Sequence, residues 1–162
     1  MAIHGAIRLD KVQSTVNGGI FNAVAETDLD NGMVVALKGL KAGHADLFEA
    51  IAPAAIGDEI YLVTSPEVVY EAEKGILDFY NVAGERVRLH QLKQGDIVTI
   101  TDNVIEGATV KDQFVIVTAS STKLTANATA PAEGTYGEVL AKEKLFGQAA
   151  TVIMIKKADK TA

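Results

Sequence analysis

Short apolar runs rich in β-branched residues recur along the chain, separated by glycine and Asp/Asn and often alternating with a period of two. The run 19–26 (GIFNAVAE) leads into Asp30-Asn31-Gly32, a turn signal because Asn and Gly accept positive φ. Residues 33–37 (MVVAL) follow as a strand, closed by Gly39. After Gly57-Asp58, residues 59–64 (EIYLVT) place Ile60 and Leu62 on one face and Tyr61 and Val63 on the other. The turn Ala83-Gly84-Glu85 opens 86–92 (RVRLHQL), where Val87 and Leu89 face one side and Arg86, Arg88 and His90 the other. A further turn at 93–96 (KQGD) leads into 97–101 (IVTIT). Residues 113–118 (QFVIVT) and 150–155 (ATVIMI) are more continuously apolar, as expected of central strands covered on both faces. The pattern predicts a mostly β protein with at most one or two short helices.

Two segments read less simply. In 42–54 (AGHADLFEAIAPA), Leu47, Ala50 and Ile51 lie at helical spacing, and Pro53 limits any helix there to a short piece. Ser65-Pro66-Glu67 has the form of a helix start, yet Gly75 interrupts the run, and Val68, Tyr70 and Ala72 alternate as a strand would. Strand and loop are the favoured reading of 65–80, with helix left open. The small, polar, Thr/Ala-rich stretch 119–135 reads as an exposed mobile loop, and residues 1–17, with little periodicity, as an N-terminal arm. Residues 18–162 then form a single β-domain, a size that buries a core without staples.

Composition narrows the chemistry. Aromatics are only 6% and Trp is absent, so the core is built of aliphatic side chains. Without cysteine there are no disulfides, thiolate metal sites or cysteine nucleophiles. The start of the chain lacks the basic and apolar regions of a signal peptide, and no apolar run approaches the length of a membrane helix, so a soluble chain with no membrane partner is expected. A formal net charge of −6 disfavours nucleic acid, and Lys156, Lys157 and Lys160 read as a solubilising tail.

Motifs for catalysis are missing. No serine sits in a Gly-x-Ser-x-Gly elbow, and no phosphate-binding glycine loop is present. His44, Asp46 and Glu49 form a weak metal-like trio better read as a polar face, and the acid pairs Asp28/Asp30 and Glu71/Glu73 fall in polar stretches. No catalytic, cofactor-binding or metal-ligating residue is assigned, and no cofactor is expected. The row Arg86, Arg88 and His90 reads as a solvated or intersubunit face, or as a surface for an acidic partner; it is the candidate contact.

Residues 30–37 (DNGMVVAL), 57–63 (GDEIYLV) and above all 83–101 (AGERVRLHQLKQGDIVTIT) resemble the head decoration, or capsid-cement, proteins of tailed bacteriophages. Residues 137–141 (GEVLA) with 150–156 at the end extend the resemblance over most of the chain. It implies a compact β-barrel or tulip-like fold made in the bacterial cytoplasm and carried on the capsid exterior of the virion. The implied partner is the lattice of the major capsid protein, bound by a homo-oligomer, a trimer being favoured, that stabilises the mature shell. The alternatives are another phage structural component (tail, baseplate or binding module) or, less favoured, a small β-barrel enzyme with a site between subunits.

Overall fold

The computed structural model describes residues 3–8, 19–70 and 72–159. Five strands close into a barrel: β1 (Ile20–Ala25), β2 (Val34–Leu40), β3 (Leu47–Ile51), β4 (Tyr61–Val63) and β5 (Arg86–Gln91), in the spatial order β1-β3-β2-β4-β5. All neighbours are antiparallel except β1 and β3, which run parallel. The remaining strands are β6 (Ile97–Thr101), β7 (Ile105–Glu106), β8 (Phe114–Val117), β9 (Leu124–Asn127), β10 (Gly134–Leu145) and β11 (Gln148–Ala158). They form a six-stranded sheet in the order β6-β11-β10-β8-β9-β7. The only helical pieces among the described residues are two 3₁₀ turns, at Ile76–Asp78 and Asp102–Val104. The protein is mostly β, as its pattern predicts.

The period-two runs explain how barrel and sheet join. Tyr61 and Val63 point into the barrel with Ala23, Val35, Ala50, Val87 and Leu89. Ile60 and Leu62, on the other face of the same segment, pack with Val34 against Ile100, Val115 and Ile153 of the sheet. The segment 59–64 is thus a wall shared by two cores, which is why both of its faces are apolar. The Asp30-Asn31-Gly32 turn serves the same junction. Gly32 has φ +91°, and a Cβ there would come within 2.7 Å of the Ile100 methyl, so the position needs glycine for conformation and for space.

The strands at 33–37, 59–64, 86–92, 97–101, 113–118 and 150–155 are present, with shifted ends. The helical reading of 42–54 is corrected: residues 47–51 are β3, which sits between β1 and β2 and completes the barrel. A five-residue, mostly apolar segment fits either period, and here pairing on both sides overrides local spacing. Among the described residues of 65–80 the outcome is loop with one 3₁₀ turn. The stretch 119–135 is not wholly loop, since it contains β9 and the first two residues of β10. Leu124 is buried, and Val34 donates its backbone N–H to the Thr122 carbonyl at 2.7 Å, tying the stretch to the barrel. Of residues 1–17, only 3–8 are described, and the rest of the expected arm lies outside the described residues. Ile7 is buried in the shared core and bridges Ile100 on β6.

Candidate functional site

On the outer face of β5, alternation sends Arg86, Arg88 and His90 away from the barrel interior. Antiparallel pairing with β1 sets Val24 opposite Arg86, Asn22 opposite Arg88 and Ile20 opposite His90. The irregular segment 79–82 lies alongside, held by the reciprocal backbone hydrogen bonds of Leu29 and Asn81 at 2.9 and 2.8 Å. Between them runs a groove of about 430 Å³. Its lining includes Arg86, Arg88, Asn22, Phe79, Tyr80 and Glu85, with Ser65 and Pro66 also contributing.

The two arginines are held differently. The Arg88 backbone N–H donates to Ser65 Oγ at 3.1 Å, and its Nε donates to the Thr64 carbonyl at 2.9 Å. Its guanidinium is therefore fixed at one end, while its terminal amino groups have no partner among the described residues. Arg86 meets Asp46 at 3.5 Å, with both side chains more than half exposed. A pair so exposed contributes little and is readily exchanged. The structure does not place His90 with them in the groove: its cross-strand neighbours are Ile20 and Leu62, and its Nε2 is buried without a hydrogen-bond partner.

Beside the groove lies a buried polar network that the sequence reading missed. Asn31, fully buried, accepts from the Ser65 N–H at 3.1 Å and donates to the Ser65 carbonyl at 2.8 Å. It also donates to Glu67 Oε1 at 3.2 Å and accepts from Asn81 Nδ2 at 3.4 Å. Asn81 in turn donates to the Leu29 carbonyl at 3.0 Å. Burial raises the Glu67 carboxyl above its ordinary pKa, and hydrogen bonds from Asn31 and the Ile7 backbone partly offset this. The His4 ring stacks on Tyr80, itself in the groove lining, at 4.6 Å, and His4 Nδ1 lies 2.7 Å from Asp30 Oδ1. The groove wall is thus tied to the turn 30–32 at two adjacent residues, Tyr80 through His4 and Asn81 directly. The only local signal for this was Asp30-Asn31-Gly32, which announces a turn and not a buried amide.

The other sequence candidates are occupied elsewhere. Asp46 faces Arg86 and Glu49 faces Lys38 at 3.4 Å, so the metal-like trio with His44 is divided between two ion pairs. A second polar cluster joins Lys142 to Asp102 at 2.5 Å and to Thr151 Oγ1 at 2.8 Å, and Thr151 donates to Asp102 at 2.6 Å. Thr151 is fully buried, which suits a structural link between β10, β11 and the 3₁₀ turn. A recess of about 630 Å³ lies against the barrel strands, with Ala25, Leu29, Val35 and Ala50 in its lining and Lys38 and Lys41 also present.

The family model of the YonC prophage protein matches residues 3–128. The chain belongs to that family. It is accordingly a phage-derived protein, and the match spans the whole barrel, the groove and the buried Asn31 network of this family member, ending just beyond β9. No curated protein and no solved structure matches. No helix among the described residues is long and apolar enough to cross a membrane.

Proposed function

We propose that this prophage protein is a non-enzymatic structural component of the virion that attaches to the outer surface of the capsid and stabilises the mature shell. The observation that carries the reading is the groove on β5: an anchored cationic recess, built by Arg86 and Arg88, on a body whose formal net charge is −6. Local charge opposite to that of the whole molecule favours one orientation of approach to an acidic surface and disfavours others. The resemblance of 83–101 to capsid-cement proteins supports the same role, since β5 and its arginines belong to that segment. A two-core β body with a shared wall suits a part that must bear load, and many copies on one lattice gain avidity even when each contact is weak.

The test is co-sedimentation of the wild-type protein with expanded, undecorated shells of its own phage, beside free capsid subunits. Pelleting with shells and little binding to free subunits is the expected result. Protein that stays in the supernatant at high shell excess overturns the capsid reading.

A further inference from the structure

We infer that the β5 groove is a receptor for an extended, carboxylate-bearing segment of a partner protein, with the partner's carboxylate paired to the Arg88 guanidinium and its neighbouring side chain laid against Phe79 and Tyr80. This rests on the capsid reading only for the partner's source; the recognition chemistry stands on the groove itself. Arg88 supplies the anchor. Its Nε is committed to the Thr64 carbonyl, which orients the planar fork, and the terminal amino groups are left to form the two parallel bonds that a carboxylate accepts. Pre-orientation of this kind lowers the entropy lost on binding. Arg86 adds a second cation whose contact with Asp46 is long and exposed, so an incoming acid can replace Asp46.

The rest of the lining argues against other ligands. At about 430 Å³ the groove is larger than a single small anion requires, and such an anion would leave the Phe79 and Tyr80 wall unused. Glu85 stands in the same lining and repels the dense charge of a polyphosphate or nucleic-acid backbone. Acids spaced along a peptide avoid Glu85 while reaching the arginines. The side chain of Asn22, exposed and opposite Arg88 on β1, offers both a donor and an acceptor to a peptide backbone.

The experiment uses the full chain and a blocked peptide, acetyl-Gly-Asp-Ala-Glu-Val-Asp-Gly-Gly-amide, with a counterpart carrying Asn and Gln in place of the acids. Titration is followed by the Nε–Hε resonance of Arg88. The acidic peptide is expected to shift that resonance and the amide counterpart to leave it in place. Arg88→Lys, which keeps the charge but not the fork, is expected to weaken binding at least tenfold, and Arg88→Ala more, each with a circular dichroism spectrum like that of the wild type. Binding should weaken as salt rises. An unmoved Arg88 resonance, equal shifts by both peptides, or full affinity in Arg88→Lys overturns the inference. So does a shift that appears only with rising protein concentration, which assigns the groove to a second copy of this chain. If the wild type ignores shells yet binds the acidic peptide through Arg88, the groove chemistry stands and the capsid reading falls. If it pellets with shells and Arg88→Ala pellets equally, the capsid reading stands and the groove is not its contact.

Discussion

Replacing Asn31 by alanine tests whether the buried amide network holds the groove and the barrel–sheet junction together. In the wild type both the N–H and the carbonyl of Ser65 are bonded by the Asn31 side chain, and Ser65 is only 6% exposed. Alanine leaves these two backbone groups without that partner, and a buried unsatisfied polar group costs about 1–3 kcal/mol. The bonds from Asn31 to Glu67 and from Asn81 are lost as well, though Asn81 keeps the Leu29 carbonyl. The expected loss is about 2–5 kcal/mol, a large part of the roughly 5–15 kcal/mol that holds a domain folded. Urea unfolding followed by circular dichroism measures it, the midpoint falling while the slope against urea stays constant. Asn31→Asp is the informative companion. It keeps the acceptor for the Ser65 N–H but sets a carboxylate against the Ser65 carbonyl and Glu67, so it should be destabilised at neutral pH and recover in part on acidification, as protonation restores a donor. Because Ser65 and Asn81 line the groove, both variants should also bind acidic partners more weakly. A loss below about 0.5 kcal/mol for Asn31→Ala, the range of ordinary surface changes, would refute the reasoning.

Two further outcomes follow from the same structure. Ending the chain before Ala150 removes all but the first two residues of β11, which lies between β6 and β10 in the sheet and supplies Ile153 and Ile155 to the shared core; aggregation is expected, and a soluble product with unchanged melting temperature contradicts it. Glu67→Gln keeps an oxygen to accept from Asn31 and Ile7 while removing a carboxylate whose pKa burial raises. The charged form is the one that folding disfavours, so the cost is absent when both states are protonated, grows as pH climbs from the ordinary carboxyl value through the raised folded one, and is full above that. The variant should therefore be more stable than the wild type at neutral pH, with the gap closing on acidification below the ordinary carboxyl range, as urea midpoints across pH will show; a less stable variant at neutral pH contradicts this.

Local pattern along the chain determined the class of structure and the facing of individual side chains. The split of Ile60 and Leu62 from Tyr61 and Val63 follows from period two alone, as does the outward row that includes Arg86 and Arg88, because neighbouring side chains on a strand must diverge. The turn at Asp30-Asn31-Gly32 was equally legible, since tolerance of the positive φ that Gly32 takes is a property of glycine itself. What neighbours what was not legible. Residues 47–51 are a strand because β1 and β2 flank them, and 124–127 because β7 and β8 do. The groove needs Asn22 on β1, Arg88 on β5 and the irregular segment 79–82 side by side, and no local period encodes that meeting. The same pairing parts His90 from Arg86 and Arg88, setting it between Ile20 and Leu62. Asn31 looked like an exposed turn residue and became the centre of a buried network only when the loop beginning at Ser65 closed over it. A repeat of two tells each side chain which face it takes; hydrogen bonds between strands distant in sequence decide what lies across from it.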